Sequence, residues 1–314
     1  MTDSMTLKDK LSAGMFVVTG ELGPPRGSDG GTVRKKAAML KGIVDAVNIT
    51  DNQTAIVRMS SMAASVICIS EGVEPVMQMT VRDRNRIALQ SDLLGASALG
   101  IRNVLCLSGD HQSFGDQPGA RGVNDIDSIQ LIYTASRMSG EGKILHSEKL
   151  MDTAPDFFIG AASNPFAEPK DFRPIRLKKK IEAGARFIQT QCVYDLPSFR
   201  NFMKIVVDMG LHEKAHILAG VMPLKSAVMA AYLNERVPGV VVPGAMIARL
   251  RGLPKERVAD EGIELCCEII NELRSIEGIH GIHIMAVEWE HRVREIVERS
   301  GLDKRAAAVT VDRK

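Results

Sequence analysis

The sequence has few aromatic residues, and none of its apolar runs approaches the length of a membrane span. Aromatic side chains make up 4% of the 314 residues, with one tryptophan and three tyrosines. A helix needs about 20 predominantly apolar residues to cross a bilayer. Residues 1–12 include two aspartates and lack the apolar segment of a signal peptide. We therefore expect a cytoplasmic protein with no membrane partner and a mainly aliphatic core.

Disulfide pairs and a charge excess of either sign are also missing. The five cysteines include no CxxC pair, and an odd number cannot all pair within the chain. Free, buried thiols in a reducing compartment are the simplest interpretation. The 40 Lys and Arg residues and the 38 Asp and Glu residues leave a formal net charge of +2. Such a balance indicates no general nucleic-acid surface.

Familiar cofactor and metal motifs are absent as well. No GxGxxG follows the first predicted strand and no Walker A motif occurs, so the usual dinucleotide and triphosphate loops are not expected. The chain has neither an HExxH motif nor a GxSxG elbow, and we predict no metal site. His280 and His283 are three residues apart, but a turn and a strand would point them differently. We interpret both histidines as structural.

Short apolar segments recur along the chain, and a segment with helical spacing follows each of them. They are apolar almost throughout, which is typical of parallel strands covered on both faces. The predicted strands are Phe16–Leu22, Ala46–Asp51, Pro75–Thr80, Asn103–Ser108, Phe157–Ser163, Phe187–Tyr194, His216–Pro223 and Gly281–Val287. The clearest predicted helices are Arg84–Leu99, Leu177–Ala185, Ser198–Met209 and Val258–Ile276.

Eight strands alternating with helices over this length predict an α/β fold, a single (β/α)8 TIM barrel of the usual size of about 250 residues. A doubly wound open sheet is the alternative, because the number of strands does not prove closure. No linker interrupts the chain, so we predict one domain over residues 1–314, with a polar lead-in at 1–12 and a tail at 303–314. The polar loop His111–Val123 follows the fourth strand, on the face that carries function in barrels.

Polar side chains stand where the predicted strands end, and in a barrel these ends meet on one face. Any one of them alone is typical of a helix cap or a solvated loop. Together they predict an active site on that rim. In chain order they are Glu21, Thr50, Asp51, Asn52, Gln78, Thr80, Ser108, Gly109, Asp110, Ser163, Asn164, Thr190, Gln191 and Glu288.

Three segments resemble motifs of the methylenetetrahydrofolate reductase family. Thr19–Arg26 resembles the family's motif of a glutamate followed by two prolines, and Leu107–Asp110 resembles its Leu-Arg-Gly-Asp turn. Leu177–Ala185, followed by Thr190–Gln191, resembles its lysine-rich helix and Thr-Gln strand. The resemblance runs in order from about Phe16 to Leu302, which is nearly the whole chain.

The resemblance implies a flavin-dependent enzyme that reduces 5,10-methylenetetrahydrofolate to 5-methyltetrahydrofolate in one-carbon metabolism. It assigns Glu21 as the general acid that protonates a ring nitrogen and opens the methylene bridge. It makes Asp110 a second catalytic residue beside the flavin, and it places Glu21, Asp110 and Gln191 against the folate. It also implies flavin contacts at Thr50, Gln78, Ser108, Gly109, Asn124, Asp125 and Lys180.

Departures from the family's motifs fall on the flavin's phosphate and adenosine side. Ser108 stands in place of an arginine, Gln78 where a histidine is common, and Arg173 where an aspartate is common. The family favours FAD as the bound flavin, and these departures admit FMN. No residue indicates a nicotinamide site, so we expect an electron-donating partner subunit in a homo- or hetero-oligomer.

Two other functions are compatible with the same residues. The folate- or pterin-binding barrel of a methyltransferase uses aspartate and asparagine side chains and no flavin. A non-catalytic barrel subunit of an electron-transfer complex would bind neither ligand. The visible absorption of the purified protein distinguishes these functions from a flavoenzyme.

Overall fold

Eight parallel strands pair in chain order, and the last strand pairs with the first to close a barrel. The computed structural model describes residues 5–237 and 239–303, so the predicted tail lies outside the described residues after Asp303. Closure confirms the (β/α)8 barrel and rules out the open sheet. The strands are β1 Val17–Leu22, β2 Ala46–Ile49, β3 Pro75–Thr80, β4 Asn103–Leu107, β5 Phe158–Ser163, β6 Phe187–Cys192, β7 His216–Val221 and β8 Ile279–Ile284.

Helices cover the outer face of the barrel. Among the described residues, no helix is long and apolar enough to span a membrane. The four predicted helices are confirmed, although the one containing Leu177 begins earlier, at Phe172. Pro174 lies in its first turn, where proline is tolerated because the backbone N–H there needs no partner within the helix. The helices are α1 Leu7–Ser12, α2 Gly30–Leu40, α3 Ser61–Ser70, α4 Arg86–Ala98, α5 Ser128–Gly140, α6 Phe172–Glu182, α7 Leu196–Asp208, α8 Ala227–Arg236, α9 Gly244–Arg251, α10 Lys255–Leu273 and α11 Val293–Arg299.

Helix α1 lies within the segment expected to be a polar lead-in, and it covers the amino-terminal end of the barrel. Leu7 and Leu11 are four residues apart, hence on one helical face, and both are buried against side chains from strands β1 to β7. The backbone N–H of Leu7 donates to both carboxylate oxygens of Glu74, at 3.1 and 2.9 Å. Burial raises the pKa of Glu74.

Two histidines pack together at the same end of the barrel. The rings of His216 and His280 meet edge to face, with their centroids 5.1 Å apart. The backbone N–H of Ile217 donates to Nδ1 of His280 at 3.2 Å. Burial, reinforced by the neighbouring histidines, lowers the pKa of His280 to about 4. This imidazole is therefore neutral at physiological pH, and its role is structural, as the sequence predicted.

Candidate functional site

A cavity of about 330 Å³ opens at the carboxyl ends of the strands. Leu105, Leu107 and Met285 supply apolar wall, while an acid lies at one side and a group of cations at another. This is the rim that the strand-end residues predicted. The polar lining residues are Glu21, Gln78, Ser108, Ser163, Asn164, Arg173, Arg176, Lys180, Gln189, Thr190, Gln191 and His283.

Glu21 is the acid of the cavity. It lies near the end of β1 and is only 6% exposed. Its two nearest polar contacts are long: Nε2 of Gln53 lies 3.5 Å from Oε1, and Nε2 of His283 lies 3.8 Å from Oε2. Because neither contact is a short hydrogen bond, the carboxyl group can exchange a proton with a ligand that enters the cavity.

A chain of buried hydrogen bonds runs beneath Glu21 and orients His283. The side chains of Asn48 and Gln189 exchange two hydrogen bonds, at 2.6 and 3.0 Å, and Gln189 Nε2 also donates to Thr19 Oγ1 at 3.3 Å. Thr19 Oγ1 lies 2.9 Å from Nδ1 of His283. Since Thr19 already accepts from Gln189, its hydroxyl proton is free to donate to that nitrogen. When Thr19 donates in this way, the ring proton of His283 is on Nε2, which faces Glu21; the opposite tautomer fits the same distance.

Two glutamine side chains line the cavity with amide atoms that make no hydrogen bond within the described residues. Gln191 Oε1 accepts from the backbone N–H of Cys192 at 3.0 Å, which leaves its amide nitrogen unused among the described residues. The side chain of Gln78 makes no hydrogen bond within that part of the chain. A side-chain amide offers both a donor and an acceptor, so these two groups suit the mixed edge of a heteroaromatic ring.

Lys180 lines the side of the cavity nearest to helix α6. Its ammonium donates to the backbone oxygen of Ala162, at the end of β5. Burial, together with the positive charge of Arg176, lowers the pKa of Lys180 to about 8. The ammonium is thus mainly protonated at neutral pH, although it lies in a partly desolvated position.

The cavity brings together half of the ten residues to which the family resemblance gives a role. Glu21, Gln78, Ser108, Lys180 and Gln191 all line it. The other five lie outside its lining, and their own contacts explain where they sit. They are Thr50, Gly109, Asp110, Asn124 and Asp125.

Asp110 is exposed on the loop after β4 and faces the loop after β2. Its Oδ2 accepts the backbone N–H of Thr54 at 2.9 Å. Gly109 precedes it with a φ of +82°, and a Cβ there would lie 3.1 Å from Cβ of Thr80. The turn therefore requires glycine, and it directs the Asp110 carboxylate toward the rim and away from the cavity wall.

Asp125 and Asn124 are held on the outer part of the same loop. A side-chain hydrogen bond from Arg86, with a donor–acceptor distance of 2.7 Å, lowers the pKa of Asp125 to about 2. Asn124 is exposed with a φ of +41°. Thr50 is buried at the end of β2, and its hydroxyl has no hydrogen-bond partner among residues 5–237 and 239–303. No group of three or more His, Cys, Asp or Glu residues within that part of the chain could hold a metal ion.

The sequence interpretation missed five residues of the cavity wall or its support: Thr19, Asn48, Arg176, Gln189 and His283. Thr19 is two positions before Glu21, and side chains two apart on a strand share a face. Arg176 is four positions before Lys180, a helical spacing that also places two side chains on one face. Both spacings can be recognised in the sequence. The contact of His283 with Glu21, by contrast, depends on closure of the barrel between β8 and β1.

The loop after β8 carries the tryptophan of the chain beside a second cleft. Two cations approach the ring of Trp289: Lys225 Nζ lies 5.2 Å and Arg292 Cζ 5.5 Å from its centroid. The cleft has a volume of about 190 Å³ and includes Met229 and Met285, and Met285 also lines the main cavity. The two spaces are therefore neighbours on the rim.

The family model of methylenetetrahydrofolate reductase matches residues 6–301 of the chain. The chain belongs to the methylenetetrahydrofolate reductase family. It is 25% identical over 254 residues to a probable methylenetetrahydrofolate reductase (NADPH) of Caenorhabditis elegans, covering 78% of this chain and 35% of that protein. It is 26% identical over 220 residues to the 5,10-methylenetetrahydrofolate reductase of Pectobacterium carotovorum subsp. carotovorum, covering 68% and 64%.

The barrel also matches a solved structure over almost its whole length. An uncharacterized protein from Clostridium thermocellum, described as binding two copies of 5-methyl-5,6,7,8-tetrahydrofolic acid, aligns with a TM-score of 0.66 and 15% identity. The alignment covers 95% of this chain and 99% of that one. By contrast, the match spans only about a third of the length of the C. elegans relative.

Proposed function

We propose that this chain reduces 5,10-methylenetetrahydrofolate to 5-methyltetrahydrofolate with a flavin bound in the cavity. The observation that carries the proposal is the buried carboxyl group of Glu21, which faces a cavity beside His283 and shares it with the free amide of Gln191. Membership of the family supports folate reduction. The folate bound by the C. thermocellum protein agrees with a folate ligand on this fold.

The residues of the cavity fit a flavin. Leu105 and Leu107 offer apolar surface for the face of a flat ring, and the free amide of Gln78 offers a donor and an acceptor for its polar edge. Arg176 and Lys180 offer positive charge for a phosphate. When bound, the reduced flavin supplies the hydride.

Glu21 acts as the general acid in the proposed reaction. Its carboxyl proton moves to a ring nitrogen of the substrate, the bond from that nitrogen to the methylene carbon breaks, and the resulting cationic iminium accepts hydride as a methyl group. One proton and one hydride then account for the two-electron reduction. Nε2–H of His283 lies 3.8 Å from the carboxylate that this transfer leaves behind and stabilises it.

Asp110 is proposed to act from the rim. Its carboxylate is fixed by the backbone N–H of Thr54 and projects no atom into the cavity lining. From this position it supplies negative charge close to a ligand that extends out of the cavity. Such a charge favours departure of hydride toward a cationic acceptor.

The electron donor is proposed to be a partner protein. The residues of the cavity include no recognisable nicotinamide-binding motif. We therefore expect NADH alone to reduce the bound flavin slowly. Reduced ferredoxin and a chemical reductant serve as comparison donors. Fast reduction of the flavin of the isolated chain by NADH would contradict this part of the proposal.

The test separates the two half-reactions. The purified chain, loaded with flavin, is reduced anaerobically with dithionite, and 5,10-methylenetetrahydrofolate is then added. We expect flavin absorbance to return as 5-methyltetrahydrofolate forms in equal amount. Failure to bind any flavin, or a reduced flavin that methylenetetrahydrofolate does not oxidise, would refute the proposed function.

A further inference from the structure

Arg82 is a buried cation that lies outside the cavity. It follows the end of β3, its side chain is only 5% exposed, and it is not one of the residues that line the cavity. Burying a guanidinium is costly unless acceptors surround its N–H groups. The acceptors that Arg82 binds therefore indicate what this charge does in the fold.

The guanidinium of Arg82 contacts three loops of the rim at once. Nε and Nη2 donate to the two carboxylate oxygens of Asp83, in the loop after β3, at 2.8 and 2.7 Å. Nη1 donates to the backbone oxygen of Asp110, in the loop after β4, at 3.0 Å. Nη2 also donates to the backbone oxygen of Asn52, in the loop after β2, at 3.3 Å. One side chain thus joins three consecutive loops on the face that carries the cavity.

The loop after β2 needs support because its backbone adopts an unfavourable conformation. Asn52 has a φ of +46° and Thr54 a φ of +55°, in the left-handed region that a β-branched residue rarely adopts. In this conformation the backbone N–H of Thr54 donates to Oδ2 of Asp110 at 2.9 Å. Residues persist in this region only when surrounding contacts hold them there. The hydrogen bond from Arg82 to Asn52 is one of those contacts.

Arg82 therefore acts on Asp110 by two routes. It holds the backbone oxygen of Asp110 directly, and it holds the loop whose Thr54 N–H binds the Asp110 carboxylate. Hydrogen bonding to Asp83 raises the pKa of Arg82, and the negative charge of Asp110 acts in the same direction. The guanidinium thus stays charged at every pH of an assay. A permanent charge behind the rim fixes where the Asp110 carboxylate lies.

We propose that Arg82 is a positioning residue, which holds the Asp110 carboxylate at the place from which it promotes hydride transfer. The inference rests on the proposed function and on the role proposed there for Asp110, and it adds the group that sets that role. Replacing Arg82 would let the carboxylate move while every residue that lines the cavity stays the same. A misplacement of about 1 Å can slow a reaction by about 100-fold.

A double-mutant cycle distinguishes positioning from a merely structural role. The flavin-loaded full-length chain is reduced with dithionite, and its reoxidation by 5,10-methylenetetrahydrofolate is followed by stopped flow. Arg82→Met and Asp110→Asn should each slow this step by about 10- to 100-fold. The double variant should be no more than about twofold slower than Asp110→Asn, because Arg82 then has no carboxylate to position.

Two further variants complete the comparison. Arg82→Lys keeps the positive charge but not the planar fork, so it should restore part of the lost rate and remain slower than the wild type. Arg137→Met is the matched control, because the side chain of Arg137 is also largely buried and donates to a backbone oxygen and a carboxylate, those of Ser147 and Glu148. Arg137 lies in the last turn of α5, at the end of that helix far from the rim. Its replacement should lower stability and leave the half-reaction at the wild-type rate.

A folded Arg82→Met that reacts at the wild-type rate overturns the inference. A double variant slowed by the product of the two single effects also overturns it, since independent effects multiply. If Arg82→Met does not fold, Arg82→Lys decides by the same cycle: it must be slower than the wild type, and it must add nothing to Asp110→Asn. A wild-type rate for Asp110→Asn overturns both this inference and the role of Asp110, and leaves the proposed flavoenzyme intact. A wild-type chain whose reduced flavin the substrate does not oxidise refutes the proposed function itself.

Discussion

Replacing Glu21 by glutamine tests the proposed proton transfer with little disturbance of the fold. The amide has nearly the same shape, and its oxygen can keep the 3.5 Å contact with Gln53, while the 3.8 Å contact with His283 is already longer than a hydrogen bond. Those contacts are too long to contribute much to stability, so the free energy of unfolding should change by less than about 1 kcal/mol. The amide has no proton to transfer, and the loss of a general acid slows a reaction by about 10²- to 10⁴-fold.

The assay for Glu21→Gln is the folate half-reaction measured by stopped flow. The variant should bind flavin and be reduced by dithionite as the wild type is, while reoxidation by methylenetetrahydrofolate slows by about 10²- to 10⁴-fold. Glu277→Gln is the matched control, because Glu277 is exposed just before β8, at the opposite end of the barrel. A folded, flavin-bound Glu21→Gln that reduces the substrate at the wild-type rate would refute the mechanism.

Three further substitutions test the buried polar groups. Thr19→Val removes the hydroxyl partner of Nδ1 of His283, while Gln189 keeps its two hydrogen bonds with Asn48. It should lower the free energy of unfolding by about 1–3 kcal/mol in urea titrations. It should also shift the pH profile of the folate half-reaction, which a purely structural Thr19 would leave in place. Burial raises the pKa of Glu74, so its contribution to stability is present at low pH and is lost as the pH rises. Glu74→Gln should therefore gain stability relative to the wild type as the pH rises above about 4.5. A difference that does not change with pH would contradict this. The pKa of His280 is lowered to about 4, so its contribution is present at neutral pH and is lost as the pH falls from 6.5 toward 4. His280→Asn keeps an acceptor for the N–H of Ile217 and should flatten the acid side of a plot of melting temperature against pH.

The barrel was predictable because its strands are buried on both faces. Nearly continuous apolar segments such as Phe157–Ser163 are typical of strands covered on both faces, and the observed strands agree with the predicted ones to within three residues at every end. Helix α1 was missed because only Leu7 and Leu11 face the protein, and the remaining residues of that helix are polar or charged. Two apolar positions in a polar segment do not predict a buried helix by themselves. They can be interpreted only when the barrel end that they cover is known.

The site was predictable only in part, for a different reason. Residues fixed by a strand end, such as Glu21 and Gln191, lie where the register of the barrel puts them. Asp125 and Asn124 belong to a long loop whose path depends on distant partners, and an ion pair with Arg86 holds Asp125 outside the cavity. No local pattern specifies that pair, since Arg86 is 39 residues away along the chain.

The placement of Trp289 gives the molecule a built-in optical reporter. The chain has a single tryptophan, so all indole emission comes from one point on the rim at the carboxyl ends of the strands, near two cations and beside the methionine-lined cleft. A ligand that displaces Lys225 or fills that cleft changes the electric field at the indole and therefore its emission. Binding can then be followed without an added label. Emission followed during unfolding likewise records the opening of the rim, whereas circular dichroism records loss of the barrel. A mismatch between the two transitions would measure how far the rim opens before the barrel does.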